Sequence, residues 1–413
     1  MLQYPNQKQG ITIMTAPTYP ALQLNLKEDK RLRAGHLWVY SNEVNIGATP
    51  LKSFTAGEIV CVLDAHGKPM GMATISPNAL LCARLLTREV RVIDTDFFYK
   101  RLKTALALRT QLFEQPHYRW VHGEGDFLPG LIIDRFGDDI VVQTNTAGMD
   151  KLKDDIIAAI IKLVNPSSIT LRNDSRGREL EGLTCEVVTV HGTAPAHLAL
   201  SENGVTFHAP ALDGQKTGWF YDHRLMRERL KHYVQGKRVL DVFAYLGSFG
   251  VQAAAFGAKE VVCVDVSPLS AEWVAKNAAL NGVQDVVSSI TGDAFEVMEQ
   301  LLAEGKKFDV VIVDPPAFIP KAKDMAKGQA AYQKLNALAI RLTQTGGMVF
   351  SGSCSMHFAR NDLLATVQKA ARANDRMVQL IEETHQAQDH PVHPAIKETQ
   401  YLKGMVFRVL MGD

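Results

Sequence analysis

The chain of 413 residues is 46% hydrophobic and 22% charged, with a formal net charge of +1. That composition describes a globular protein of two or three domains and excludes a fibrous or wholly disordered polymer. So even a balance advertises neither a nucleic-acid nor a membrane surface overall, although a local basic patch can sit inside a neutral total.

Residues 1–20, "MLQYPNQKQGITIMTAPTYP", lack a basic region followed by an apolar one, so no secretory signal is expected there. They suggest a polar, disordered lead, with Met14 a rival to Met1 as the start. From residue 21 to 93, short β-like runs such as "GEIVCVLDAHGKPMGMATI" and "LLCARLL" alternate with Gly, Pro and Asn. That texture predicts a small β-rich domain of hairpins, with "DAHGKP" as one turn. A second α+β unit is expected over 94–200. It begins with a helix in 94–117 that stops by Pro116 and continues with strands either side of the turn at 137–139. A helix at 149–163, the strand "SITLRN" and a charged, exposed loop at 172–182 follow.

After residue 201, "KRVLDVFAYLGSFG", "KEVVCVDVS", "DVVIVDPP" and "MVFSGSCS" alternate with segments of helical period. Strands alternating with helices predict βαβ units and a parallel, doubly wound α/β sheet. No apolar run approaches the ~20 residues that would cross a bilayer, so no membrane association is expected. Five scattered cysteines, Cys61, Cys82, Cys185, Cys263 and Cys354, form no C-x-x-C pair. A disulfide framework and a metal site are therefore not expected, and a reducing cytoplasmic setting is.

Ligands of open α/β sheets sit beyond the carboxyl ends of the strands. There the sequence places Asp241, Asp265, Asp293 and Asp314 after four successive strands, and Cys354 after a fifth. Each acid alone reads equally as a helix N-cap; four in register suggest a site. Gly247 and Gly250 give G-x-x-G without the G-x-G-x-x-G of a pyrophosphate cradle, with Tyr245 and Leu246 in the turn. An acid-lined pocket without a phosphate cradle suits a cationic nucleoside cofactor, S-adenosylmethionine, with Asp265 placed for ribose hydroxyls.

The phrases "GEGDFLPGLIIDRFG" (123–137), "DGQKTGWFYDHR" (213–224), "DVFAYLGSFG" (241–250), "VDPPAF" (313–318), "SGSCS" (351–355) and "DHPV" (389–392) carry a more specific likeness. From about residue 21 onward the chain resembles the bacterial 23S ribosomal RNA cytosine-C5 methyltransferases with an N-terminal PUA domain. The resemblance implies a PUA-like RNA-binding β-barrel over 21–93 and a central α+β domain over 94–200. Over 201–413 it implies a Rossmann-like class I catalytic domain with a mostly parallel seven-stranded sheet. S-adenosylmethionine is then the cofactor and large-subunit ribosomal RNA the partner, with room for a homodimer. Phe220, Arg224, Asp241, Phe243, Tyr245, Gly247, Asp265, Asp293 and Asp314 would border the cofactor.

Carbon 5 of cytosine is a poor nucleophile, so this chemistry needs a thiolate to add first at C6. Cys354 fills that role, in a Ser-Gly-Ser-Cys-Ser loop expected to be mobile and exposed. The other four cysteines are expected to be buried bystanders. Asp314, stiffened by Pro315 and Pro316, would polarise N3 of the base. Phe318 is a stacking surface for the flipped base or, equally, a core aromatic. Many related enzymes carry a second Cys where this chain has Ala317, which leaves the base for the release step unassigned. Two basic clusters are candidate RNA contacts: Lys27, Lys30, Arg31 and Arg33 with Trp38 and Tyr40, and Arg172 with Arg176 and Arg178. His385, His390 and His393 lack metal-ligand spacing and are expected at the surface or facing RNA. The competing readings are a purine-nitrogen RNA methyltransferase and a non-catalytic RNA-binding factor that kept the fold.

Overall fold

A computed structural model describes residues 19–214 and 217–412. The N-terminal lead up to residue 18, the choice of start residue, and Gln215 and Lys216 of the "GQKTGW" stretch lie outside the described residues.

The first unit is a five-stranded sheet ordered Ala21–Gln23, Ile59–Leu63, Pro69–Ile75, Leu81–Thr87, Trp38–Tyr40. A bridge between Leu24 and Val44 joins its two edges. Asn25 N donates to Glu43 O at 2.8 Å and Asn45 N to Gln23 O at 2.8 Å beside it. The sheet thereby closes into a small barrel and leaves no long open edge. Its interior is filled by alternate residues such as Leu22, Val60, Val62, Ala73, Ile75 and Ala83. "DAHGKP" makes the predicted turn: Asp64 Oδ1 accepts from the amides of His66 and Lys68, both at 2.9 Å.

The second sheet runs Glu186–Gly192, Ser168–Asn173, Asp139–Thr144, Leu131–Phe136, His117–His122. Helices Thr95–Leu112 and Lys153–Val164 pack on it. Asp94 caps the first helix, its carboxylate accepting from Phe97 N at 2.9 Å; that helix ends at Leu112, four residues before Pro116 could break it. The expected helix at 149–163 is two pieces, Ala147–Lys151 and Lys153–Val164. Met72 and Leu86 of the barrel sit in the same apolar cluster as Trp120, Ile133 and Ile156, so the first two units share one core.

Residues 172–182, expected as an exposed charged loop, instead hold a short helix, Arg176–Leu180. Two of the three arginines proposed there for RNA are interior. Arg178 is 1% exposed, pairs with Asp150 at 2.9 Å and donates to the Thr144 carbonyl. Arg172 is 2% exposed and pairs with Asp174 at 2.9 Å. A buried guanidinium needs such partners because desolvation is costly, and neither side chain is presented to a ligand. In the barrel cluster, Arg31 is held by Glu43, Arg33 by Asp29 and Asp64, and Trp38 Nε1 donates to Glu124 at 2.9 Å. Lys27 and Lys30 are left without an ion pair among the described residues.

The third sheet has seven strands in the order Val287–Thr291, Glu260–Asp265, Arg238–Val242, Phe308–Val313, Thr343–Ser353, Lys403–Met411, Arg376–Thr384. Lys403–Met411 runs antiparallel to both its neighbours, and the other pairings are parallel. Both faces are apolar because helices cover both. Val239, Val261, Val310, Ile312 and Phe350 point to one layer; Leu240, Val242, Val311, Val313 and Val349 point to the other. The strand order reverses at Arg238–Val242, and the crevice beyond that reversal is where a ligand belongs.

The segment after Arg376–Thr384 leaves this sheet, crosses the central unit and returns. Asp389 is fully buried: its carboxylate accepts from Arg119 N at 3.0 Å and its carbonyl from Arg109 at 2.7 Å. Arg109 also grips Asp126 with two bonds of 2.6 and 2.7 Å. A side chain on Gly125 would lie 2.1 Å from Pro391 O. The "GEGD" and "DHPV" phrases, far apart in sequence, therefore interlock. His390 and His393, expected at the surface, are 2% and 4% exposed, and His390 pairs with Asp389 at 2.8 Å; His385 is exposed, as expected.

Candidate active site

The glycine loop following Arg238–Val242 is wound by alternating left-handed residues, Phe243 at φ 69°, Tyr245 at φ 50° and Gly247 at φ 77°. Two of these are bulky, and each such position stores roughly 1–3 kcal/mol. The winding is held from below. Asp265 Oδ2 accepts from Tyr245 N at 2.9 Å and its other oxygen from Ser267 N at 3.0 Å. Asp241 Oδ2 accepts from Gly250 N at 2.8 Å. Gly250 must be glycine, since a Cβ there would meet Cys263 Sγ at 2.4 Å.

Between the loop and the next two strands lie Ala244, Cys263, Asp265, Ala271, Val274, Ser289 and Ile290. No water-sized space is left among these side chains, so they form packing beneath the loop and not a ligand cavity. Asp293, at the exposed end of the next strand, caps helix Ala294–Ala303 through Oδ1, which accepts from Phe295 N and Glu296 N at 2.9 and 3.2 Å. Phe220 packs edge-on against Tyr245 at 5.5 Å between centroids, on the far wall of the same loop.

Arg224, expected at the cofactor, faces the other way. Its guanidinium stacks on Phe113 at 4.4 Å and lies 3.5 Å from Glu202 and 4.0 Å from Asp389. It joins the central unit to the catalytic sheet rather than bordering the wound loop. The residue before it, His223, takes the more telling place: Nε2 sits 3.2 Å from Asp314 Oδ2, and buried Nδ1 has no hydrogen-bond partner. Sequence reasoning passed over His223 although it lies inside the quoted "FYDHR" phrase. Its neighbour Asp222 accepts a 2.6 Å bond from Tyr401 Oη, which anchors this turn to the C-terminal segment.

Asp314 and Cys354 are on neighbouring strands. Val313 pairs with Ser351, and a Cβ on Gly352 would lie 2.6 Å from Asp314 Oδ1. Glycine at 352 thus makes the space the carboxylate occupies. Pro315 is buried, Pro316 and Ala317 are exposed, and Phe318 is half-buried against Tyr332, Phe295 and Phe243. Those three neighbours make Phe318 part of an aromatic wall.

The Cys354 loop is neither mobile nor exposed as expected. Ser351, Ser353 and Ser355 are 0–1% exposed. Tyr332 Oη bonds Ser353 Oγ at 3.0 Å and Ser355 Oγ at 2.9 Å. Ser353 and Ser355 are tied down because buried hydroxyls seek partners, and Cys354 between them remains partly open. Lys403 enters the last strand beside it: Nζ donates to Ser355 O at 2.6 Å, and its charge interacts with Cys354. Burial pulls the Lys403 ammonium down to about 8. A lone lysine opening an apolar strand was the sequence signal for it. Of the other cysteines, Cys82 and Cys263 are buried, Cys61 is half-buried and Cys185, against expectation, is exposed.

Asp241 is fully buried with Oδ1 unpartnered, and burial raises its carboxyl to about 7. The native state therefore holds this proton where an unfolded chain has released it. The resulting stability is full below the ordinary aspartate range and is lost as pH rises towards about 7. Asp241→Asn, which keeps an acceptor for Gly250 N, is expected to flatten the fall in Tm between about pH 5 and about pH 8. Thermal melts of the ligand-free protein check this.

Residues 177–408 match the family described as S-adenosylmethionine-dependent methyltransferase, and residues 22–88 match the PUA-like domain. A Shewanella frigidimarina (strain NCIMB 400) protein named ribosomal RNA large subunit methyltransferase I is 35% identical over 399 residues, 94% of this chain and 100% of that one. A Streptococcus mutans protein described as a SAM-dependent methyltransferase has the same fold, with a TM-score of 0.79 over 94% of this chain and 99% of that one at 19% identity. SMU.776, described as a methyltransferase complexed with SAH, gives a TM-score of 0.80 over the same shares, also at 19% identity.

Proposed function

The chain belongs to the S-adenosylmethionine-dependent methyltransferase family with an N-terminal PUA-like domain, and from that membership we propose that it methylates carbon 5 of a cytosine in large-subunit ribosomal RNA. The observation that supports the reading is that Asp314 and Cys354 follow adjoining parallel strands, whose register pairs Val313 with Ser351, with Gly352 leaving room for the Asp314 carboxylate. Relatives bearing the name ribosomal RNA large subunit methyltransferase I support the RNA class.

S-adenosylmethionine supplies an electrophilic methyl group; Asp265 and the wound loop above it would hold it. The remaining work falls to side chains. Cys354 Sγ bonds to C6 of the cytosine, and the C5–C6 π electrons shift to C5. Asp314, positioned by His223, donates a carboxyl proton to N3 so that the ring accepts this charge. Once C5 carries the methyl group its proton leaves, the S–C6 bond breaks, and the double bond and thiolate are restored. Pro316 and Ala317 are exposed, so water reaches this side, and we take water as the acceptor of the C5 proton. Lys403 favours the thiolate form of Cys354 by its adjacent charge.

Lys403→Met is expected to move the pH profile of Cys354 alkylation by iodoacetamide to higher pH, read by peptide mass spectrometry. Above about pH 8, where Lys403 itself loses its proton, the wild-type and variant profiles should converge. Ribosomal RNA transcribed with 5-fluorocytidine tests the reaction. Fluorine cannot leave as a proton, so wild-type enzyme should stall as a covalent RNA–protein adduct that survives denaturing electrophoresis. Active enzyme that forms no adduct would instead indicate methylation at a ring or exocyclic nitrogen.

A further inference from the structure

The seam between the barrel, the central unit and the C-terminal loop encloses a cavity of about 520 Å³. That volume is in the range of small-molecule and nucleotide sites, and no step of methyl transfer uses it. Its most prominent wall is Phe127, 46% exposed and left-handed at φ 58°. A bulky side chain held out in that conformation is strained, and Phe127 buries nothing large in return. His393 meets its ring edge-on at 5.2 Å. His393 Nδ1 accepts from Ala395 N at 3.2 Å, which leaves Nε2–H as a donor.

Two guanidinium groups complete the cavity. Arg101 lies 5.9 Å from the Phe127 ring and gives one bond to Leu86 O at 3.1 Å. Arg88 gives one to Leu32 O at 2.8 Å. Neither makes an ion pair among the described residues, although most other arginines here do. Glu89 is the one carboxylate of the lining. On the barrel side, a Cβ on Gly35 would meet nothing closer than 3.9 Å, so that wall is open.

An exposed aromatic face, two arginines that make no ion pair among the described residues and a ring N–H donor are the parts that receive a nucleobase and its phosphate. We infer that this seam holds one unstacked nucleotide of the RNA substrate, apart from the cytosine being methylated. The inference rests on the reading above that RNA is the substrate. The same C-terminal loop that brings His393 here carries Asp389 to Arg109 and Arg119, and Tyr401 of that segment bonds Asp222 beside the His223 turn.

The test uses the full chain and in-vitro-transcribed large-subunit ribosomal RNA in filter binding. Phe127→Ala should weaken RNA affinity roughly tenfold, the scale of one lost base stack, and Phe127→Trp should restore it. Arg101→Gln should lower the slope of log affinity against log salt by about one. S-adenosylmethionine affinity, measured by calorimetry, should stay within twofold for all three, which a folding defect would not allow. Ultraviolet cross-linking of 4-thiouridine-substituted RNA should map to the peptide containing Phe127. RNA affinity of Phe127→Ala within twofold of wild type overturns the inference. So does micromolar binding of free CMP that Phe127→Ala abolishes while RNA binding is unchanged, since the seam would then serve a soluble nucleotide. Failure of the methylation reading looks different: wild type forms no 5-fluorocytidine adduct, whatever Phe127 does.

Discussion

Cys354→Ala should lose methyl transfer by roughly three orders of magnitude or more, the usual scale when a covalent nucleophile is removed. It should do so without loss of S-adenosylmethionine affinity. The two effects separate because Cys354 lies at the end of Thr343–Ser353, while the proposed cofactor residues, Asp265 and the wound loop, lie at the ends of Glu260–Asp265 and Arg238–Val242. The buried hydrogen bonds that hold this loop to Tyr332 come from Ser353 and Ser355, which the substitution leaves in place. Melting temperature should therefore stay near that of wild type. The 5-fluorocytidine adduct should vanish, and a variant that still forms it would place the nucleophile elsewhere.

Asp314→Asn is expected to lower kcat by about 10²–10⁴-fold, the range for a positioned acid or base. The amide keeps the shape that Gly352 accommodates but cannot transfer a proton to N3. Loss of kcat with little change in KM for RNA would mark a group acting on the reacting ring. Equal loss in RNA affinity would mark a merely structural one. Single-turnover rates with radiolabelled methyl donor separate these outcomes.

Much of this was legible in the sequence because α/β sheets carry their chemistry at strand ends. Asp241, Asp265, Asp293, Asp314 and Cys354 could be located simply by asking where apolar runs stop. The same local logic could not assign their separate tasks. Asp293 is a helix cap, and Asp241 is a buried tie to Gly250. Both look from sequence like Asp314, because N-caps and ligand carboxylates share a position. Arginines misled for a different reason. Arg178 and Arg224 are compensated by carboxylates far along the chain, and a one-dimensional reading sees their charge without its answer; Arg172 pairs with nearby Asp174, and what the sequence hid there was its burial. His223 was overlooked since its meaning comes only from Asp314, 91 positions on, approaching to 3.2 Å. The Cys354 loop looked mobile because serine and glycine usually signal exposure; Tyr332, on another helix, supplies the hydrogen bonds that make it rigid.

The crossing of residues 385–402 over the central unit bears on how the protein comes into being. Arg109 and Asp389 are separated by 280 positions, so their contact closes a very long loop, and such contacts form late. Lys403 lies just beyond that crossing, in the strand that separates Thr343–Ser353 from Arg376–Thr384. During synthesis the barrel and central unit emerge first, and domains generally fold in that order. Arg109 and Arg119 meet Asp389 only after the strands between them have been made. The lock across the seam and the strand that sets Lys403 beside Cys354 therefore belong to the late part of folding.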